Sequence, residues 1–258
     1  MKLNAKTVQN WLIPVLVVVL WEGLGRTDLL PRYLSSPSAI LEALWELAAS
    51  GELFVALGVS LYRVSVGFAI GTAAGIIVGL GAGLLLGVRH FFDPLVSFPY
   101  SVPKIAFLPI FLLLFGLGHW SKISMIAFST FFPVFVASRH ALMSVNQVLV
   151  WAARNMGTPR GAIFFRVMIP AAAPQLFAGI RIGLAHAFVI LFAAELIGSN
   201  VGLGTIITDG EDSVRFDIMF AGIICFAVIG FVSDRILMAV RWHVLRGQLI
   251  GTEELASQ

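Results

Sequence analysis

Apolar residues fall in long, non-alternating blocks along this chain, and short polar or basic segments separate them. Blocks of that length without a period of two predict helices rather than strands. The first block, 8–25, ends near Arg26, Asp28 and Pro31. It follows Lys2 and Lys6 like a signal peptide, but Trp21-Glu22-Gly23 stands where a small-residue cleavage site would be, so it reads as an uncleaved first span. Residues 32–52 are more polar. There Ile40, Leu41, Leu44, Trp45, Leu47 and Ala48 lie at helical spacing against Glu42, Glu46 and Glu52, as in an amphipathic helix at the interface or outside the membrane.

The second block, 57–87, carries Gly67, Gly71, Gly75, Gly79, Gly83 and Gly87 at every fourth position. Small residues at that spacing let another helix approach closely, a helix-packing role. Four residues turn a helix by about 400°, so the stripe drifts by about 40° per step and suits a crossing partner or several successive ones. Arg63, near the start of this block, is expected to reach a headgroup or an acidic partner. The third block, 91–116, contains Pro94, Pro99, Pro103 and Pro109 and cannot be one straight helix. Block four is 120–138, block five 176–198, and block six 218–240, with a polar loop at 201–216.

Composition agrees with lipid as the solvent. Of 258 residues, 59% are hydrophobic and 12% charged, against roughly 25% charged in soluble domains. The mean hydropathy is +0.94. The expected fold is all-α, a polytopic membrane protein of six transmembrane helices. Segment 1–56 would hold the first span and the external helix, 57–246 the main membrane-spanning core, and 247–258 a tail. Basic residues set the orientation. With the N-terminus inside, Lys2, Lys6, Arg89, Arg139, Arg154, Arg160, Arg166, Arg235, Arg241 and Arg246 gather at the cytoplasmic face, and Arg26, Arg32, Lys122 and Arg215 lie outside. Both termini are then cytoplasmic. The net charge of +3 serves topology and does not point to nucleic acid.

Candidate chemistry is sparse. The single Cys225 excludes an intramolecular disulfide, and the histidines have no metal-ligand spacing, so no metal is expected. No phosphate-binding loop G-x-x-x-x-G-K-[ST], H-E-x-x-H or G-x-S-x-G occurs. Lys104 sits in the proline-broken block, either on a translocation path or snorkelling from a re-entrant turn. His186 and Glu195 are ionisable residues at membrane depth, marks of a pathway. Nine residues apart, they fall half a turn out of phase and cannot share a helix face. These three residues also motivate an ion-coupled secondary carrier as an alternative.

The polar exception is 141–174. A helix is expected from 141 to 156, with Gly157 as its C′ residue, Thr158 as the N-cap and Pro159 as the first position of a second helix. Such a cytoplasmic corner is a docking surface or an ordinary loop.

Trp151-Ala152-Ala153-Arg154-Asn155-Met156-Gly157, continuing to Val167-Met168-Ile169-Pro170, resembles the EAA signature of permease subunits of bacterial ABC importers. Trp151 stands where that signature has Glu, which alters one polar contact with the ATPase. Ser60-Leu61-Tyr62-Arg63, Phe115-Gly116-Leu117-Gly118, Gly179-Ile180-Arg181, Ala194-Glu195 and Gly202-Leu203-Gly204 are similar to the branch importing sulfonates, taurine, nitrate or bicarbonate, and to thiamine-precursor permeases. The resemblance implies an inner-membrane permease that is not itself an enzyme. It implies a second copy of the permease, two ABC ATPase subunits that bind ATP and Mg, and a periplasmic or lipid-anchored solute-binding protein. It implies a coupling helix near 146–163, centred on 152–159, in which Trp151, Ala152, Ala153, Arg154, Gly157, Thr158, Pro159 and Pro170 meet the ATPase. The corner would be joined to its neighbouring spans through Arg139 and Pro170.

Overall fold

A computed structural model describes residues 5–27 and 33–256, without the side chains of 5–11, 97–101 and 247–256. Lys2, Lys6, Asp28, Pro31, Arg32 and the charges of the tail therefore lie outside the described side chains. Among the described residues there is no strand. The helices are α1 (Ala5–Gly25), α2 (Pro37–Ala49), α3 (Glu52–Leu84), α4 (Leu86–Ser101), a 3-10 turn (Lys104–Phe107), α5 (Leu108–Phe115), α6 (His119–Met143), α7 (Gln147–Asn155), α8 (Arg160–Ile163), a π turn (Phe164–Met168), α9 (Ile169–Gly198), α10 (Leu203–Asp212) and α11 (Phe216–Ala256). Among the described residues four stretches are long and apolar enough to cross a membrane: Glu52–Leu84, His119–Met143, Arg160–Gly198 and Phe216–Arg246. Shorter apolar helices at Leu12–Gly25 and Lys104–Phe115 stand where the first and third spans were expected.

The chain forms two compact units, Met1–Ser60 with Glu195–Val228, and Leu61–Ala194 with Ile229–Gln258. The second unit is built around α6. A Cβ on Gly67 would meet Ile126 at 2.8 Å, on Gly75 Val134 at 2.8 Å, on Gly79 Ser138 at 2.7 Å and on Gly83 Leu142 at 3.0 Å; Gly71 meets Ala127 and Thr130 in the same way. The glycine stripe therefore serves one partner over five successive glycines, not several partners in turn. Residue numbers rise together along both helices, so α3 and α6 run parallel. A seam repeating every four residues exceeds the 3.6-residue turn, and its drift is absorbed by right-handed wrapping of the two helices. Gly87 lies beyond the end of α3 and takes no part. On another side of α6, Gly179 packs on Ala137, and a Cβ on Gly183 would meet Val134 at 2.8 Å, so α9 runs antiparallel to α6. Two helices thus approach α6 to backbone distance.

The proline-rich block breaks at Val102-Pro103, where Val102 is extended (ψ 138°) and Pro103 is non-helical (ψ 108°), and resumes as the 3-10 turn and α5. Phe107 and Phe111 of that resumed segment pack on Phe128 of α6, with ring centroids 5.3 and 5.6 Å away. The fifth span starts well before residue 176, because α8, the π turn and α9 form a continuous stretch from Arg160. The π turn ends two residues before Pro170. A proline there lacks an N–H and crowds the carbonyl four residues back, so the wider turn relieves the helix at that point.

In the first unit, 203–212 is a helix and not the polar loop expected. Leu203, Ile206, Ile207 and Gly210 are buried at helical spacing while Glu211 and Asp212 stay exposed. Gly222 of α11 packs on Ile207, and Trp21 of α1 meets Phe220 edge-on at 6.4 Å. Helix α2 is capped by Ser36, whose hydroxyl accepts from the Ala39 N–H at 3.3 Å. Arg215 donates to both Glu46 oxygens (3.0 and 2.8 Å) and to Asp217 (2.8 Å), fastening α2 to the start of α11. Those bonds hold the Glu46 carboxyl below the ordinary carboxylate range and push the Arg215 guanidinium up.

Candidate functional site

The corner between α6 and α9 is built locally from capping chemistry. The Asn146 side chain accepts from the Val148 N–H at 2.9 Å and starts α7, so residues 141–156 are two helices with a break at 144–146 rather than one. At the other end the Gly157 N–H reaches the Arg154 carbonyl at 2.9 Å and the Thr158 N–H reaches the Ala153 carbonyl at 3.1 Å. This pair of bonds is a Schellman ending, with Gly157 as C′ at φ +76°. Nothing lies within 4 Å of a Cβ placed on Gly157. Glycine is therefore needed there for its positive φ and not for close approach. Thr158 does not cap the next helix. Pro159 is extended (ψ 150°) and serves as the N-cap of α8, which begins at Arg160 rather than at the proline.

The two faces of α7 differ. Val150 and Ala153 are buried in a cluster with Ala141 of α6, Val145 of the break that follows it, Ile163 of α8, and Ala172 and Leu176 of α9. Ser144 adds a polar tie, its hydroxyl donating to Gln175 Oε1 at 2.9 Å. The outer face carries Val148, Leu149, Trp151 and Met156, with Trp151 58% and Met156 78% exposed. Ala152, Arg154 and Pro159 are exposed beside them. The short helix of the corner is thus 147–155, and residues 152–159 straddle its end. The link to the neighbouring spans is this apolar cluster. Arg139 is used elsewhere, donating to Asp93 of α4 at 2.7 Å, and Pro170 lies in the first turn of α9.

Lys104 opens the 3-10 turn after the helix break. It is half-buried with its Nζ over the Phe132 ring, 5.7 Å from the centroid, so it points at α6. His186 of α9 is half-buried, and both residues belong to the second unit. Glu195 belongs to the first unit and is 1% exposed. The Ser60 hydroxyl donates to its carboxylate at 2.8–2.9 Å, the Gly204 N–H donates to Oε2 at 3.1 Å, and the Leu203 N–H donates to Ser60 Oγ at 3.0 Å. This buried network closes the turn from α9 into α10.

Three features escaped the sequence reading. Arg181 forms a two-pronged pair with Asp234 of α11, at 2.6 and 3.0 Å, and Arg235 joins it at 3.1 Å. Asp234 was legible as an acid inside the apolar run of the last span. Lys122 is completely buried, with its Nζ donating to the Leu117 carbonyl. Arg63 is also buried, its Nε donating to His119 Nδ1 at 3.3 Å instead of reaching a headgroup. Among the described residues no three His, Cys, Asp or Glu gather where a metal could be held.

Residues 71–241 match the family described as binding-protein-dependent transport system inner membrane component. Among curated relatives, a protein of Bacillus subtilis named as an aliphatic sulfonates transport permease, SsuC, is 34% identical over 240 residues, covering 93% of this chain and 87% of the relative. The taurine transport system permease protein TauC of Escherichia coli is 32% identical, covering 90% and 88%. The formylaminopyrimidine transport permease protein ThiX of Halalkalibacterium halodurans is 30% identical, covering 79% and 81%. Together with an all-helical chain carrying several membrane-length apolar helices, these matches settle the class: the chain belongs to the inner membrane components of binding-protein-dependent transport systems.

Proposed function

We propose that two copies of this chain form the path of an ATP-driven importer for a small organic anion, with an ATPase subunit seated on the outer face of α7. The permease role is that of the family, and the chain is a multi-pass inner-membrane protein and not an enzyme. Orientation, stoichiometry, coupling residues and substrate are the proposed part. ATP and Mg would be bound by the partner, and a solute-binding protein would deliver substrate at the opposite face. Six spans with both termini cytoplasmic would put α7 on the ATPase side, the outcome favoured by the basic residues.

One observation carries the reading. The corner has exposed apolar residues on one face, Trp151 and Met156 foremost, and a face locked onto α6 and α9. An exposed apolar face on a rigidly mounted helix is what a docking lever requires. Apolar contact through Trp151 replaces the polar contact that Glu would make at this position. Sulfonate-type anions are the favoured substrates, since relatives named for aliphatic sulfonates and taurine align over nearly the whole chain. The relative named for formylaminopyrimidine keeps a thiamine-precursor substrate as the second reading.

The test is Gly157→Trp. The site has room for the side chain but not for its φ, so the variant is expected to insert, fold and lose ATP-driven uptake by reshaping the corner. Full uptake by a stably expressed Gly157→Trp protein would overturn the coupling role. Uptake with the cognate binding protein, compared for ethanesulfonate, taurine and formylaminopyrimidine, decides the substrate.

A further inference from the structure

We infer that the groove between α3, α9 and α11, with the Arg181–Asp234–Arg235 cluster beside it, binds an alkanesulfonate. The alkyl chain lies in the groove and the sulfonate on the surplus positive charge of the cluster. This rests on the importer reading above and gives that substrate class a place within the second unit.

Two observations meet there. The first is a cavity of about 340 Å³, lined by Val64 and Phe68 of α3, Leu184 and Phe188 of α9, and Ser233 and Leu237 of α11. All of these belong to the second unit. Small-molecule sites hold about 300–1,000 Å³ and are mostly apolar with a few polar groups, which is the character of this lining. The second observation is charge at membrane depth. Arg181 is one turn from Leu184 on α9, and Asp234 follows Ser233 on α11, so their ion pair bridges the two helices beside the groove. Arg181 lies twelve residues after Ile169 and Asp234 twelve residues before Arg246, about 18 Å of helix in each case. Both therefore sit well inside stretches of membrane-spanning length. Yet the side chains of Arg181 and Arg235 are 48% and 58% exposed. Acyl chains do not solvate such groups, which at that depth face the bundle interior or a water-filled cavity. The face that carries the cluster is on that account turned from lipid.

Charge complementarity selects the occupant. Asp234 accepts from Arg181 at 2.6 and 3.0 Å and from Arg235 at 3.1 Å. Two cations against one carboxylate leave a single positive charge, the complement of a sulfonate monoanion. Arg235 spends only Nη2 on Asp234 and lays its guanidinium against the Phe231 ring, 5.0 Å from the centroid. Its Nε and Nη1 have no protein partner among the described residues, and a guanidinium edge suits an oxyanion. An alkylammonium of the same length is repelled, and an alcohol gains the groove without the charge. Inorganic anions gain the charge but have no carbon chain to bury in the groove.

The experiment uses the permease assembled with its ATPase subunits in lipid nanodiscs, with Cys225→Ser removing the one native thiol. Ser233→Cys, in the groove wall, is labelled with a membrane-impermeant methanethiosulfonate, without nucleotide and with ATP plus vanadate. Ethane-, butane- and hexanesulfonate are then added as protectants, beside 1-butanol. The expected result is labelling in at least one state, slowed by each sulfonate. The concentration giving half protection should fall about fourfold per added CH₂. Arg235→Gln should raise it about tenfold and leave protection by 1-butanol unchanged, whereas Arg235→Lys should largely restore it. If Ser233→Cys does not assemble, Ser65→Cys on the α3 wall gives the same comparison. Reaction with a membrane-soluble maleimide alone would assign the groove to lipid, and a disulfide between two copies would assign it to the second copy. Either overturns the inference, as does equal protection by butanesulfonate and 1-butanol, or protection indifferent to Arg235. Loss of the importer reading itself would appear separately, as failure of the ATPase subunits to remain bound.

Discussion

Gly75 shows what a single position contributes here. A methyl added there would lie 2.8 Å from Val134 Cβ and 2.9 Å from the Phe131 carbonyl, both on α6. Backbone cannot yield as a flexible side chain does, so the helices must separate. Gly75→Ala is expected to destabilise the protein by about 1–3 kcal/mol, measured as a lower thermal midpoint in detergent. Gly58, in the same helix, has nothing within 4 Å, and Gly58→Ala should be neutral or stabilising by the helix propensity of alanine, up to about 1 kcal/mol. Equal losses at both positions would contradict the close-packed seam. Glu46 supplies a different single-residue prediction. Its carboxyl is held below its ordinary value of 4.5, first by the hydrogen bonds from Arg215 and then by that charge. A depressed carboxyl stabilises the fold above 4.5 and loses that contribution as the pH falls through its lowered folded value. The difference in thermal midpoint between wild type and Glu46→Gln should therefore be constant above pH 4.5 and shrink below it. It should be small throughout, because the pair is exposed.

Whole elements were unequally legible in the sequence. The four-residue glycine period announced close packing but could not name the partner, since α6 advertises its side of the seam only through ordinary residues such as Ile126, Val134 and Leu142. The break of the proline-rich block was legible from backbone chemistry alone, and its position at Val102-Pro103 was not. Helix α10 was hidden because its acids dominate the composition, although Leu203, Ile206, Ile207 and Gly210 carry a helical period in plain view. At the corner, Gly157 could be read as a C′ residue, while Asn146 as a helix start was overlooked and Thr158 was given a capping role that Pro159 takes. Contacts between distant segments, such as Arg181 with Asp234, are not paired by any local pattern, although Asp234 itself stands out as an acid in an apolar run. The turn from α9 into α10 is of this kind, and it makes an element-scale prediction. Ser60 both donates to Glu195 and accepts from the Leu203 N–H. Ser60→Ala strands a buried N–H and removes a donor from a buried carboxylate, an expected cost of about 1–3 kcal/mol. Hydrogen exchange should show earlier opening of the Leu203 and Gly204 amides, with α7 unaffected; unchanged protection there would rule out the network as what holds this turn.

On the scale of the molecule, the proposed coupling requires that a push on α7 reach the spans, and on that reading the corner separates docking from transmission on its two faces. Trp151 and Met156 are exposed, and Val150 faces the cluster formed with Val145, Ala172 and Leu176. Force applied to the outer face reaches α6 and α9 through that cluster and the Ser144–Gln175 bond. Closely packed side chains transmit displacement because they have no space to collapse into. Cutting each face in turn should therefore give different failures. Trp151→Ala leaves the cluster intact and should weaken retention of the ATPase subunits, with uptake and hydrolysis falling together. Val150→Ala leaves the outer face intact but removes roughly two methylenes from the cluster, loosening the mount by about 2 kcal/mol. The ATPase should then stay bound and hydrolyse ATP while uptake per ATP falls. The measurement is the ratio of transported solute to hydrolysed ATP in proteoliposomes, taken beside the amount of ATPase retained on purification. If the two variants fail alike, with retention and ratio changing in parallel, the inner cluster is part of the docking surface and not the link that carries the stroke into α6 and α9.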